Sequence, residues 1–451
     1  MPPRHFRTAS FSSSGPPSDA APDTITVIMI RRWLSLASIL LLGVLAQIGT
    51  AKKSDGPTVA TKKLNYEPIF PFYFENSETI LFQSSGTGEV FRSFDGGVNW
   101  DIIEDEAGDI KGNVWSIQPH PYDNQRAYIL GRHGLHWITT DQAKTWRRFE
   151  LNAAPSMLNY VLTFHGGDSK KVIFHGEQCS QFHCAERAFY TLDDFETVEP
   201  LREAIRGCKW AVGTPEFADS MPDVADELAN RVFCIVRGLK VPFAYAYRLM
   251  SSDDFFRVDE DGVEVKLNEG RPVAGVVNMA TVKKYLVTAA KSQGTDELAL
   301  YVSDDAKVWH RAEFGNHRLE EDAYTILEGT NYSIQVDVMN TNRLVNMGVL
   351  FTSNSNGTYF TRNIEHTNRN IQGLVDFEKI ANVQGIVLVN VVDNWEEVEQ
   401  EAADKKVLSR VSFDDGRTFQ PLKVKDKDLH LHSVTAFANI GRVFSSPAPG
   451  I

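Results

Sequence analysis

One short box recurs along this chain and limits its fold more than any other feature. Ser93-Phe-Asp95-Gly-Gly97-Val-Asn99-Trp100 reads S-x-D-x-G-x-x-W. It returns as Thr139-Thr-Asp141-Gln-Ala-Lys-Thr145-Trp146 and as Ser412-Phe-Asp414-Asp-Gly416-Arg-Thr418-Phe419. Worn copies lie between them: Thr191-Leu-Asp193-Asp-Phe195, Ser251-Ser-Asp253-Asp-Phe255 and a shortened Ser303-Asp-Asp305-Ala-Lys-Val-Trp309. In a last copy, Ser353-Asn-Ser355-Asn-Gly357-Thr-Tyr-Phe360, Ser355 stands in the Asp place. The key positions are separated by 46, 52, 60, 52, 50 and 59 residues. Seven units at about fifty residues is the period of a β-propeller blade.

The box chemistry fits the turn of a hairpin. The residues ahead of it, such as Glu89-Val-Phe-Arg92 and Leu135-His-Trp-Ile138, alternate as strands do. The Asp carboxylate is expected to accept backbone N–H groups of its own turn. Gly two positions later supplies positive φ, and the closing aromatic packs between blades. Asp95, Asp141, Asp193, Asp253, Asp305 and Asp414 are therefore read as structural, not catalytic. The expectation is an all-β chain of four-stranded antiparallel blades, with each box at a hairpin turn.

The composition narrows the class. Apolar residues at 42% and charged residues at 23% exclude wholesale disorder. A net charge of −13 sets nucleic acid aside, since no basic cluster outweighs it. The amino terminus reads as an address. Residues 1–28 are a Ser/Pro-rich disordered extension, and Met29, Arg31 and Arg32 precede an apolar run ending at Gly49-Thr-Ala51. Residues 29–51 have the layout of a secretory signal peptide, with an uncleaved anchor as the rival reading. Residues 52–63 form a linker before a propeller over 64–451.

Secretion suits the four cysteines, which allow three pairings. The expected one joins Cys179 to Cys184 across a hairpin and Cys208 to Cys234 across neighbouring strands. A zinc cluster of His175, Cys179, His183 and Cys184 can be drawn, but its spacing matches no standard site. Asn331-Tyr-Ser333 and Asn356-Gly-Thr358 are glycosylation sequons. His430 and His432 share a strand face without a third ligand. The acidic run Trp395–Glu401 reads as a solvated loop insertion, and Glu104–Glu106 as a solvated turn.

The box is the Asp-box shared by sialidases, xyloglucanases and sorting receptors, so the text between boxes must choose. Thr325-Ile-Leu-Glu-Gly-Thr-Asn331-Tyr-Ser-Ile-Gln-Val-Asp337 resembles the sortilin family. So do Leu350–Phe360, His432-Ser-Val-Thr435 and Gly441–Gly450, and earlier Trp115-Ser-Ile-Gln-Pro-His120-Pro and Gly176-Glu-Gln-Cys179. The resemblance runs from about Tyr66 to Gly450.

The resemblance implies the luminal part of a sorting receptor, with no catalytic residue, no metal and no cofactor. Its implied partners are vacuolar hydrolase precursors such as carboxypeptidase Y-like propeptides. They are carried from the Golgi to a late endosome by a receptor anchored once in the membrane. Family members have ten blades, then a cysteine-rich module, an anchor and a cytosolic tail. Seven boxes ending at Pro449-Gly-Ile451 imply a fragment, a truncated gene model or a soluble relative. As seven blades of a ten-bladed ring, they imply an open arc; the competing expectation is a closed seven-fold ring. Animal relatives grip a ligand carboxylate with a basic residue on an inner strand. The matching stretch here is Ile380–Leu388, and Gln384 takes the basic position. The reading of a different class is a secreted Asp-box glycosidase, which needs paired catalytic carboxylates or an Arg triad. No text between the boxes resembles those enzymes.

Overall fold

Each of the seven boxes closes one antiparallel sheet of four main strands, and the sixth and seventh are joined by the single pair Thr367–Val391 into one nine-stranded ladder. The chain divides into two units, residues 1–61 and 62–451. The computed structural model describes residues 63–438, apart from 66, 105–107, 158–159, 180–183, 242–243, 292–297, 316–323, 331, 342–344, 371–372, 381–382, 384 and 424–436. The signal-peptide reading thus lies outside the described residues. Among the described residues no helix is long and apolar enough to cross a membrane.

The sheets follow one another along the chain. The first holds Pro68–Tyr73, Ile80–Ser84, Val90–Ser93 and Asp101–Ile102, paired in that order. The second runs from Val114–Pro119 to Arg147–Glu150, and the third from Leu162–Phe164 to Glu199–Glu203 with Ala154–Pro155 added. The fourth opens on Ile205–Trp210 and the fifth on Val276–Val282. The sixth opens on Tyr324–Thr330, the seventh on Val375–Lys379. In all seven the box joins the third strand to the fourth. First strands adjoin at several junctions: Pro68–Tyr73 with Val114–Pro119, Leu162–Phe164 with Ile205–Trp210, Ile205–Trp210 with Val276–Val282, and Tyr324–Thr330 with Val375–Lys379. Among the described residues no strand of the first sheet pairs with the seventh. Phe437–Ala438 pairs instead with the free edge of Val375–Asp376. Among the described residues the strand ladder is thus open, which agrees with the arc reading.

The core is divided among the gaps between sheets. Phe74, Leu81, Ile129 and Trp137 fill the first gap. Tyr128, Phe149, Phe174 and Phe195 fill the second, and Ile173, Tyr190, Trp210 and Phe255 the third. Phe233, Leu286 and Trp309 fill the fourth, and Val287, Phe314, Val336 and Phe351 the fifth. A middle strand with a neighbouring sheet on each face is buried throughout, as Ala127–Gly131 and Met347–Ser353 are. In the first sheet Ile80–Ser84 is buried with its Phe82 ring against Phe91 and Trp100 of the same sheet. The two-residue alternation read from the sequence is thus largely overridden by burial on both faces.

Helices are few and short. Pro215–Ser220 and Pro222–Glu227 sit between the first two strands of the fourth sheet, with Thr214 capping the first of them. Trp395–Glu401, expected as a solvated loop, is a helix. Val398 packs with Met347 and Val392, and the Trp395 ring stacks on His366 at 4.2 Å. That apolar face stabilises a turn of helix where the acidic composition suggested a loop.

Candidate functional site

The boxes are built alike. In the first sheet Ser93 Oγ donates to Asp95 Oδ1 at 2.8 Å and accepts the Gly97 N–H at 2.8 Å. Asp95 in turn accepts the Asn99 N–H at 2.8 Å and its side-chain amide at 2.7 Å. Asp141, Asp193 and Asp414 repeat this with Thr145, Thr197 and Thr418. In the shortened copy Asp305 accepts the N–H groups of Lys307 and Val308. Burial alone pushes the Asp414 carboxyl up, but the Thr418 and Ser412 hydrogen bonds outweigh it and hold it at about 2. These carboxylates are spent on their own turns.

The fourth box corrects the sequence reading by one residue. Ser252 Oγ donates to Asp254 at 2.6 Å, and Asp254 accepts the Val258 N–H at 2.9 Å. Asp253 instead takes Arg231 Nε at 2.6 Å. The doubled Ser251-Ser252-Asp253-Asp254 fits either register. The third strand runs through Ser252, and a one-residue slip reverses every side chain. The sixth copy also departs from expectation: Asn354 Oδ1, not Ser355, accepts the Thr358 N–H at 2.9 Å. The two residues after the box Asp take left-handed φ, as Gly96 and Gly97 do, yet Phe255 (φ 61°) and Phe256 (φ 59°) do so too. Glycine is therefore not required there, because the second side chain is buried in the gap to the preceding sheet: Ala143, Phe195 and Phe256 all are.

A second role of the boxes was missed. From the second box onward, the preceding sheet grips each box turn. Arg92 donates to Ala143 O at 2.6 Å, and Arg147 donates to the carbonyls of Asp194 and Phe195. Arg202 lies over the Phe256 ring at 5.3 Å. Lys307 reaches Glu227 at 2.6 Å, the Tyr285 hydroxyl donates to Ser355 O at 2.8 Å, and the Gln335 amide donates to Asp415 O. A box is thus a clasp between sheets as well as a fastener within one. The only sequence hint was a recurrent polar residue at no fixed spacing.

The first strands also carry cations that the box turns do not use. On Ile205–Trp210, Arg206 and Lys209 make no ion pair among the described residues. The Arg206 guanidinium lies 4.2 Å from the Tyr247 ring centre. The Lys209 ammonium, lowered by burial to about 8, lies 5.3 Å from the ring of exposed Tyr160. Gln384, His430 and His432 lie outside the described residues. The stretch Ile380–Leu388 is not one inner strand: it turns between Val375–Lys379 and Val387–Val392, with Ile380 N–H donating to Ile386 O at 3.2 Å.

The cysteines are disulfide-bonded, Cys179 to Cys184 and Cys208 to Cys234. Each pair sits directly opposite across two strands. This removes the zinc reading, because both thiolates are consumed and His175 Nε2 accepts the Cys208 N–H at 2.8 Å. His183 lies outside the described residues. Asn356 is exposed on its turn, and Asn331 lies outside the described residues.

Comparison with known proteins places these features. Residues 88–451 match the sequence model of the family described as Sortilin, neurotensin receptor 3. The "Vacuolar protein sorting/targeting protein 10" of Talaromyces stipitatus is 67% identical over 94% of this chain. The protein of that name from Aspergillus terreus is 61% identical over 94%. The chain spans 29% and 28% of the length of these two curated relatives. Among solved structures, a xyloglucanase from Xanthomonas campestris aligns with 11% identity and a TM-score of 0.41, covering 78% of this chain and 53% of its own. The β-propeller domain of the Trilobed protease from Pyrococcus furiosus aligns with 11% identity and a TM-score of 0.39, covering 78% and 96%. With the family match extending over residues 88–451 and taking in all seven boxes whole, the chain belongs to the Sortilin-Vps10 family.

Proposed function

We propose that this chain is a luminal, ligand-binding part of a vacuolar sorting receptor. It would bind soluble vacuolar hydrolase precursors, carboxypeptidase Y-like propeptides among them, and carry them from the Golgi to the late endosome. The observation that carries this reading is the 67% identity to a relative named for vacuolar protein sorting and targeting. The strand Ile205–Trp210 suits a peptide ligand, because Arg206 and Lys209 offer cations beside aromatic rings in a chain of net charge −13. The box carboxylates contribute no chemistry in this reading, being bonded within their turns. We further propose that Asn331 and Asn356 carry N-linked glycans, for which the exposure of Asn356 provides the access.

The test is binding of a carboxypeptidase Y propeptide to the purified chain and to the full-length receptor, beside turnover assays on xyloglucan and sialosides. Saturable propeptide binding without turnover is the expected result. Turnover abolished by replacing one carboxylate overturns the receptor reading in favour of a glycosidase. Endoglycosidase treatment should remove two glycans from the secreted chain, and an unchanged mass removes that part of the proposal.

A further inference from the structure

We propose that the cleft between the third and fourth sheets is a separate peptide-binding site, which takes an extended segment carrying one acidic side chain beside an apolar one. The cleft, open to solvent on one side, has about 470 Å³ between the edge strand Glu199–Glu203 and the turn of the fourth box. Its floor is apolar, made by Leu201, Phe255 and Phe256.

Three guanidinium groups open on this floor with donors to spare. The ion partner of Arg202 is Asp261 at 3.8 Å, whose side chain is 94% exposed. Arg257 makes no ion pair among the described residues and lies 5.5 Å from the Tyr190 ring centre. Arg187 gives one terminal nitrogen to Glu203 at 2.9 Å, and its enclosed Nε has no acceptor. Planar guanidinium donors of this kind suit a single carboxylate. Glu199, Glu203 and Glu260 also line the cleft; they oppose a polyanion and so favour an isolated acidic side chain over a sulfated sugar. Strand addition to the edge is blocked at Pro200, which has no N–H, so recognition runs through side chains.

The full chain is titrated with acetyl-Leu-Asp-Phe-amide and with its Asn isostere by calorimetry. Saturable binding of the Asp peptide is expected, with the Asn peptide about tenfold weaker. Arg202→Gln and Arg257→Gln should each weaken the Asp peptide by about tenfold, Arg257→Gln at unchanged melting temperature. Arg257 is exposed, so its replacement leaves the fold intact even if Arg202→Gln does not. Equal affinity for the two peptides, indifference to both substitutions, or no saturable binding overturns the proposal. A heparin fragment that competes through the same arginines also overturns it. Propeptide binding should survive Arg257→Gln; its loss would make this cleft the cargo site itself and end the claim of a separate one.

Discussion

The gap between the third and fourth sheets and the gap between the sixth and seventh join similar blades by opposite means. The first is filled by Ile173, Tyr190, Leu201, Trp210, Phe255 and Phe256, and its buried polar contact is neutral: His175 Nε2 accepts the Cys208 N–H. In the second the apolar cluster shrinks to Leu327, Leu350, Val375, Phe377 and Val387. Charge takes the remaining space. Asp337 pairs with Arg369, both fully buried, and the pair is held by the Thr325 and Thr367 hydroxyls. Lys405 donates to Asn346 O, Asn368 Oδ1 and Arg369 O at 2.8, 3.1 and 2.9 Å, and its ammonium is lowered by burial to about 8. Asp376 accepts the amides of Asn368 and Asn390. Thr367 also pairs with Val391 across the two sheets. Apolar burial stabilises many docking angles, whereas a buried ion pair tolerates few. The same repeat is thus held by area in one place and by geometry in the other.

The sharpest way to break this comparison is Asp337→Ala. It leaves the Arg369 charge buried without its partner and should cost about 3–5 kcal/mol in denaturant unfolding. Replacing both residues by Leu and Met should cost far less. A single substitution that costs under about 1 kcal/mol would show the pair to be incidental.

Acid separates the two regions next. His120, His136, His165 and His175 each accept a backbone N–H with one ring nitrogen, and burial lowers them to about 4, 3, 4 and 3. A histidine whose folded value lies below its unfolded value of about 6.5 stabilises the fold fully above pH 6.5. That stability is lost as pH falls from there toward the folded value, at about 1.4 kcal/mol per pH unit for each ring. Hydrogen exchange at pH 5.5 should therefore quicken in the second to fourth sheets before the sixth and seventh. His175→Gln keeps an acceptor for Cys208 without titrating, and should flatten the acid slope of the melting temperature. Uniform loosening of all sheets would remove the distinction.

The smallest effect concerns box register. Asp254→Ala should lower the melting temperature by about 2–4 °C. Asp253→Ala should shift it by less than about 1 °C, because Asp253 holds only a half-exposed ion pair with Arg231. The reverse ranking would restore the register read from sequence.

The legible and illegible parts of this molecule divide along physical lines. Five box carboxylates, at Asp95, Asp141, Asp193, Asp305 and Asp414, stood out because a turn is satisfied by neighbours a few residues away. The fourth was misplaced because Asp253 and Asp254 are chemically identical and only strand register separates them. The helix at Trp395–Glu401 was missed because its apolar face has just two members, and their partners lie on other strands. The Arg187, Arg202 and Arg257 cleft gave no signal, since its walls come from two different sheets.

The sequence by itself determined the β class, the count of sheets and the place of each hairpin, because a repeated turn carries its own hydrogen bonds wherever it lies in the chain. The tertiary structure alone decided how one sheet meets the next. Arg92 finds Ala143, Arg147 finds Phe195 and Gln335 finds Asp415 across separations of 51, 48 and 80 residues. Such contacts form only once both sheets exist, and local spacing carries no record of them.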